Sequence, residues 1–337
     1  MGEDNLLHVE DLYIHYLVSG QGGRKEYVRA VDGISFDVRR GEVFGIVGES
    51  GCGKSTLGRG ICKLETPSSG TIMLDGENIS NYDSKRMRPI RKKIQMVFQD
   101  PYASLDPRMS IFNIISEPLI IHKLASNKQD LEEKVIALLH KVGLEDYHAR
   151  RYPHEFSGGQ RQRIGIARAL AVEPQLIIAD EPVSALDVSI QAQVLNLMTH
   201  LQKELKLTYV FIAHDLSVVE HISDRVGVMY LGNFVEVSDK EKLYSHPLHP
   251  YTQALLSAVP IPNPTVKRNR IILEGSIPSA VNPPPGCKFH TRCPKCMEIC
   301  ETVPPRCYKA DEGHYVYCHL YDDLEQKALY NEGDIRI

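Results

Sequence analysis

The chain has 337 residues, enough to bury a large core, and this length suggests two domains or one domain with an appendage. A net charge of −4 and a pI near 6.4 argue against a globally basic nucleic-acid-binding protein, so we expect no nucleic acid partner. The first residues are acidic, and no apolar run approaches the roughly 20 residues of a bilayer span, which predicts a cytoplasmic protein.

The amino-terminal part of the chain predicts antiparallel strands. Residues 6–40 contain short alternating apolar runs on either side of a glycine-rich stretch, as strands joined by a flexible turn would. Tyr16 ends the first of these runs. Its ring offers a face on which an adenine can stack, and a half-buried strand tyrosine explains the residue equally simply.

Residues 48–56 match the phosphate-binding P-loop, a glycine and four free positions followed by Gly-Lys-Ser. The apolar residues 43–47 before it predict a buried strand, and residues 56–62 after it predict a helix. In this setting Lys54 reaches the β- and γ-phosphates and Ser55 ligates Mg²⁺. Cys52 is either a thiol acidified by the helix N-terminus or a small space-filling residue. The loop residues expected around the phosphates are Gly48, Ser50, Gly51, Cys52, Gly53, Lys54, Ser55 and Thr56.

The middle of the chain predicts a helical insertion in an α/β core. Residues 94–98 predict a strand that ends at Gln99, where an α/β sheet places its ligand contacts, so Gln99 is a candidate to orient a water or a metal. In residues 102–155 apolar residues at 131–142 have helical spacing, while Pro107, Pro118 and Pro153 are expected to break the surroundings. The basic run at 85–93 is interpreted as a solvated face.

Ser157 and the two glycines after it open a helical pattern. Such a helix N-terminus is a candidate for a second anion-binding site, and by itself it is also an ordinary N-cap. It matters because the phosphates need to be bound from two sides, and the chain has only one P-loop.

Two further apolar runs end in polar residues. Residues 176–181 predict a strand buried on both faces that ends in Asp180 and Glu181, and we assign the metal to Asp180 and the role of general base to Glu181. Residues 208–213 predict another buried strand, which ends at His214. A hairpin is expected at 226–237, with its turn at Gly232.

In this order the motifs resemble the ATP-binding subunits of ABC transporters over nearly the full chain. The resemblance identifies Gln99 as the Q-loop and His214 as the switch histidine, and it implies that Tyr16 stacks on adenine. It also implies a head-to-tail dimer in which Ser157 and Gly159 bind the γ-phosphate held by the opposite subunit. The signature that carries the second grip comprises Ser157, Gly158, Gly159 and Gln160, and the D-loop comprises Ser184, Ala185, Leu186 and Asp187.

A closer resemblance is to the ATPases of oligopeptide and dipeptide importers, on residues 98–107, 189–196 and 249–256. Gln160 further resembles the F-type of the two unlike ATPases in such importers. The resemblance implies as partners a second, D-type ATPase, two transmembrane permease subunits and an extracytoplasmic solute-binding protein, with this subunit peripheral at the cytoplasmic face of the membrane. Importers of nickel or other small solutes, and ABC ATPases without a membrane partner, remain alternatives.

The tail is rich in proline and carries six cysteines between 287 and 318. Disulfides are disfavoured in a cytoplasmic protein, and the spacing of Cys293 and Cys296 suits zinc, with an iron–sulfur cluster as the other possibility. The resemblance to peptide-importer ATPases instead favours an iron–sulfur cluster over zinc, and it implies a [4Fe–4S] cluster. The ligands it implies are Cys287, Cys293, Cys300 and Cys318, with Cys307 as the substitute for Cys318.

The predicted fold is therefore α/β, an ABC ATPase nucleotide-binding domain with an antiparallel β subdomain and a helical subdomain, followed by a small irregular cysteine-rich module. We expect the nucleotide-binding domain at residues 1–258, with the helical subdomain at about 102–172, and the linker and cysteine module at 259–337.

Overall fold

The protein is described from a computed structural model, in which residues 4–19, 25–259 and 270–326 are described. The strands in these residues are β1 Asn5–Ser19, β2 Lys25–Arg39, β3 Val43–Val47, β4 Ser69–Leu74, β5 Glu77–Asn78, β6 Ile94–Val97, β7 Leu176–Asp180, β8 Thr208–Ile212, β9 Arg225–Tyr230, β10 Asn233–Asp239, β11 Cys307–Asp311 and β12 His314–Tyr317. The helices are α1 Lys54–Ile61, α2 Ser84–Lys93, α3 Ile111–Ile121, α4 Lys128–Lys141, α5 Gly158–Leu170, α6 Val188–Leu205, α7 Leu216–Ile222, α8 Lys240–Ser245, α9 Pro250–Ala258 and α10 Glu298–Thr302.

The chain divides into two compact units. The first comprises Met1–Asn81 and Ala213–Ile337, and the second comprises Tyr82–Ile212. The expected boundary between residues 258 and 259 stays a prediction.

The amino-terminal strands of the first unit form an antiparallel sheet in the order β2-β1-β4-β5. The strands β1 and β2 pair over almost their full length, from Asn5 opposite Arg39 to Ser19 opposite Lys25, as the alternating apolar pattern predicts. The turn expected between them at residues 20–24 lies outside the described residues.

A second set of strands in the first unit runs in the order β11-β12-β10-β9-β3. The P-loop strand β3 is parallel to β9 and buried along its whole length, and β9 and β10 form the predicted hairpin at Gly232. The tail differs from the irregular module that the sequence predicts, because β11 and β12 form a hairpin that pairs with β10. This hairpin supplies hydrogen-bond partners to the backbone along the edge of β10, and it fully buries Val316. A strand of four residues is too short for its sequence periodicity to predict this pairing.

The second unit contains the parallel strands β6, β7 and β8, in the order β8-β7-β6, together with α2 to α6. The three strands were expected from their apolar runs. The basic run at 85–93 forms most of α2, whose Met87 and Ile90 are buried. Pro118 was expected to break the chain and instead lies inside α3, because the buried Leu119 keeps the last turn packed although proline donates no hydrogen bond.

No helix in the described ranges is long and apolar enough to cross a membrane.

Candidate functional site

The P-loop of the first unit takes a conformation that only glycine allows. Gly53 has φ +105, and a Cβ there would lie 1.9 Å from the carbonyl oxygen of Ala30. At Gly48 a Cβ would lie 2.1 Å from the carbonyl oxygen of Met229. The loop therefore follows the backbone of its neighbours closely and leads into α1, whose N-cap Gly53 supplies no capping side chain. The helix N-terminus is thus suited to bind an anion.

Lys54, the first residue of α1, is almost fully buried at 4 % exposed. Its Nζ donates to the carbonyl oxygens of Gly48 at 2.8 Å and Glu49 at 3.1 Å. The ammonium is therefore held inside the loop by backbone oxygens. Burial raises the pKa of the Cys52 thiol although Lys54 opposes the shift, so the space-filling interpretation of Cys52 is favoured over an acidified thiol.

Two more predicted nucleotide-binding residues lie in the first unit. Burial raises the pKa of Tyr16, and a hydrogen bond with the side chain of Thr56 opposes this rise, which connects Tyr16 to α1. His214 is exposed, and the residue before it, Ala213, donates its N–H to the carbonyl oxygen of Ile46 in β3 at 3.0 Å. Tyr16 and His214 therefore lie on segments bonded to the two elements that flank the P-loop.

In the second unit, the polar residues that end β6 and β7 meet. Gln99 Nε2 donates to Glu181 Oε2 at 2.9 Å, and Asp180 ends β7 with 1 % of its surface exposed. Glu181 has φ +44, a left-handed conformation that costs a residue with a side chain on the order of 1–3 kcal/mol. Strain of this kind is concentrated at functional sites, where the surrounding structure holds the residue in place.

The signature serine caps α5. Ser157 Oγ accepts from the N–H of Gln160 at 3.3 Å, and Gln160 Oε1 accepts from the N–H of Ser157 at 3.0 Å, which forms a capping box. A Cβ at Gly159 would lie 2.3 Å from Cγ2 of Ile190, so only glycine allows α5 and α6 to approach this closely. Asp187, the N-cap of α6, is exposed. The signature and the D-loop are thereby neighbours in one unit.

The structure thus brings the predicted site residues together in two groups, one in each unit. Two contacts beside them are not predicted by the sequence. Arg161 of α5 lies over the ring of Tyr102, with its Cζ 3.5 Å from the ring centroid, and Arg292 forms a paired contact with Glu49 of the P-loop. An acidic residue inside a phosphate-binding loop was the available signal for the second contact.

The tail cysteines are free thiols. All of them except Cys307 interact electrostatically with other tail cysteines, and Cys296 is the exposed member of this group. The pKa of Cys287 is raised to about 11 and that of Cys318 to about 12, chiefly by burial and in smaller part by the neighbouring cysteines. The thiols that act on Cys318 are those of Cys287, Cys293 and Cys300, the same four that the family resemblance selects. Burial also raises the pKa of Cys307 to about 12, but its interacting partner is Tyr317, which lies opposite it in the hairpin.

These cysteines do not form a finished metal site. Within the described ranges, no three side chains of His, Cys, Asp or Glu converge closely enough to hold a metal ion. A [4Fe–4S] cluster takes one thiolate on each of four irons and so needs a wider set of ligands than one ion does. The donor set of Cys287, Cys293, Cys300 and Cys318 fits such a cluster in chemistry and number.

Two protein families match the chain. The family described as ABC transporter matches residues 31–184, and the family described as oligopeptide/dipeptide transporter, C-terminal region, matches residues 235–300. The second match includes Cys287, Cys293 and Cys300.

Similar proteins extend over almost the whole chain. An oligopeptide transport ATP-binding protein of Bacillus subtilis, AppF, is 56 % identical over 95 % of this chain and 98 % of its own length, and the putative oligopeptide transport ATP-binding protein YkfD of the same organism is 54 % identical over 96 % and 97 %. The dipeptide transport ATP-binding protein DppF of Escherichia coli is 51 % identical over 95 % and 96 %.

Solved structures match the fold. The dimeric ATP-binding cassette MJ0796 in a post-hydrolysis state, bound to ADP and Pi, has a TM-score of 0.63 at 28 % identity and covers 69 % of this chain and 98 % of its own. The protein cbiO1 of Clostridium perfringens, part of the transporter complex cbiONQ, has a TM-score of 0.63 at 31 % identity and covers 72 % and 92 %. The nucleotide-binding fold expected from the motifs is therefore confirmed, while the cysteine-rich module and the assignment of individual site residues stay predictions.

Proposed function

Because the chain belongs to the ATP-binding subunits of ABC-type oligopeptide and dipeptide transporters, we propose that it is the F-type ATPase of a peptide importer, which hydrolyses Mg-ATP to drive uptake of di- and oligopeptides. The observation that carries this proposal is the coverage of the peptide transport relatives, which extends over both the P-loop and the cysteine-rich tail.

In the proposed reaction the first unit binds the nucleotide. The N–H groups of residues 48–56 surround the phosphates, Lys54 neutralises charge on the β- and γ-phosphates, and Tyr16 stacks on the adenine. Ser55 and Asp180 are the residues that would hold Mg²⁺, which supplies further neutralisation of the phosphate charge. The buried ammonium of Lys54 and the buried carboxylate of Asp180 support these roles.

Hydrolysis is assigned to three further side chains. A water attacks the γ-phosphorus, the bond to the β–γ bridging oxygen breaks, and Glu181 accepts the proton of the water as ADP leaves. Gln99 orients the water, and His214 donates to the γ-phosphate. The hydrogen bond between Gln99 and Glu181 supports the roles of these two residues, since it joins the group that orients the water to the group that deprotonates it.

The second grip on the nucleotide is proposed to come from another subunit. Ser157, Gly159 and Gln160 at the N-terminus of α5, with Asp187 beside them, would contact the ATP bound by the partner ATPase. The dimeric, ADP- and Pi-bound state of the similar cassette MJ0796 supports this arrangement. The proposed partners are a D-type ATPase, two permease subunits that hold this subunit at the cytoplasmic face of the membrane, and an extracytoplasmic solute-binding protein.

The tail is proposed to hold a [4Fe–4S] cluster through Cys287, Cys293, Cys300 and Cys318. The electrostatic interactions among these thiols support this set, and Cys296, which interacts with three of them, is exposed and extra to the pattern. The side chain that acts on Cys307 is that of Tyr317, which argues against Cys307 as the substitute ligand. A structural role is proposed for the cluster, because a small tail gains stability from such a crosslink.

The base assignment is tested with Glu181→Gln. We expect this variant to lose ATP turnover and to accumulate ATP-bound dimers, measured by phosphate release and by size-exclusion chromatography with Mg-ATP. The control is Glu204→Gln, since Glu204 lies in the same unit and is an exposed partner of His200. Wild-type turnover by Glu181→Gln would refute the assignment.

A further inference from the structure

Arg292 connects the cysteine-rich tail directly to the phosphate-binding loop. Arg292, next to Cys293, donates from Nη1 to Glu49 Oε2 at 2.7 Å and from Nη2 to Glu49 Oε1 at 3.0 Å. The side chains of Arg292 and Glu49 are only 7 % and 25 % exposed. A bidentate pair of this kind is among the strongest contacts that two side chains make, and here water screens it poorly.

The backbone N–H, the carbonyl oxygen and the carboxylate of Glu49 each have a hydrogen-bond partner. Its N–H donates to the Tyr251 hydroxyl at 2.9 Å, and its carbonyl oxygen accepts from Lys54 Nζ at 3.1 Å. Its carboxylate is held by Arg292. The orientation of Glu49 therefore affects the position of its carbonyl oxygen, which accepts a hydrogen bond from Lys54.

A second contact of the same tail segment leads to the loop through the turn between β9 and β10. Lys288 Nζ donates to Asp32 Oδ2 at 2.7 Å and to the carbonyl oxygen of Leu231 at 3.0 Å. The next residue, Gly232, donates its N–H to the carbonyl oxygen of Cys52 at 2.9 Å. Between these two contacts Phe289 packs against Tyr230 and Tyr251, with ring centroids 5.2 Å and 5.3 Å away.

We propose that Arg292 is a positioning residue for nucleotide binding, which neutralises Glu49 and fixes it so that the P-loop accepts the phosphates of ATP. Glu49 places a carboxylate in a loop that must bind a polyanion, and without Arg292 that negative charge repels the ligand. Arg292 also keeps the carbonyl oxygen of Glu49 in position for Lys54. This inference rests on the proposed function, since it concerns ATP binding at the same P-loop.

The test compares Mg-ATP affinity and turnover in the wild type and in Arg292→Gln. We expect Arg292→Gln to weaken Mg-ATP binding about tenfold, the scale of one strong charged contact, with a raised KM and a nearly unchanged kcat. Arg292→Lys keeps the positive charge but cannot form the bidentate pair with Glu49, so it should recover part of the affinity. Arg306→Gln is the matched control, because Arg306 is an exposed arginine of the same tail and should bind as the wild type does.

A double variant separates this role from general stabilisation of the tail. Glu49→Gln combined with Arg292→Gln removes both charges, so the double variant should bind Mg-ATP at least as tightly as Arg292→Gln alone. Additive losses in the double variant, or unchanged affinity in Arg292→Gln, would overturn the inference. A wild type that binds no Mg-ATP would instead overturn the proposed function. Iron and zinc content and the thermal midpoint of each variant are measured on the same samples, and a loss of affinity only in samples that have lost metal or melted would also overturn the positioning role.

Discussion

The signature serine offers a prediction that separates structure from function. Ser157→Ala removes the oxygen that accepts from the N–H of Gln160 at 3.3 Å and so removes the N-cap of α5. Loss of an N-cap costs about 1 kcal/mol, which corresponds to a thermal shift of roughly 1–2 °C in a protein of this size. If Ser157 also grips the partner's γ-phosphate, ATP turnover should fall far more than this small loss of stability explains.

The second unit contains a matched control. Ser110 caps α3 in the same way, with Oγ accepting from the N–H of Asn113 at 3.3 Å, and no nucleotide contact is proposed for it. We expect Ser110→Ala and Ser157→Ala to shift the thermal midpoint by similar amounts, measured by circular dichroism. Steady-state phosphate release should fall only in Ser157→Ala. Equal loss of turnover in both variants would refute the role of Ser157 in binding.

The remaining predictions concern the P-loop, the tail and pH. Gly53→Ala places a Cβ 1.9 Å from a backbone oxygen and should abolish ATP binding, measured by calorimetry. Gly76→Ala, also at positive φ but with open space around its Cβ, is the control and should bind ATP normally. ATP binding by Gly53→Ala would contradict the loop geometry. The purified protein should be brown, Cys293→Ser should lose iron and visible absorption, and Cys307→Ser should keep both; colourless wild type with stoichiometric zinc would contradict the cluster. Burial lowers the pKa of His249 to about 4, so the folded state takes up its proton at lower pH than the unfolded chain, and stability should fall by about 3 kcal/mol between pH 6.5 and 4. His249→Gln should flatten this part of the pH dependence in urea titrations, and an unchanged slope would exclude His249 as its source.

The nucleotide-binding core could be predicted from local patterns because each motif follows a strand or opens a helix. The apolar runs before Gly48, Gln99 and Asp180 are strands, and Ser157 is the N-cap that its sequence indicates. Such features depend on neighbouring residues along the chain, and a single sequence contains that information.

Contacts between distant segments could not be predicted in this way. Arg292 and Glu49 are 243 residues apart, and no periodicity connects them. The pairing of β12 with β10 likewise depends on an open sheet edge, which exists only after folding. Pro118 shows the reverse case, since a local helix-breaking signal was overridden by burial of the turn that follows it.

The central claim is that ATP hydrolysis by this chain drives peptide import. It is tested most directly in proteoliposomes that contain this subunit with its proposed permease subunits, second ATPase and solute-binding protein, by measuring uptake of a labelled peptide. We expect uptake that requires Mg-ATP and falls to background when this chain carries Glu181→Gln. Peptide uptake that is unchanged by Glu181→Gln, or ATP-driven uptake of nickel without any uptake of peptide, would contradict it.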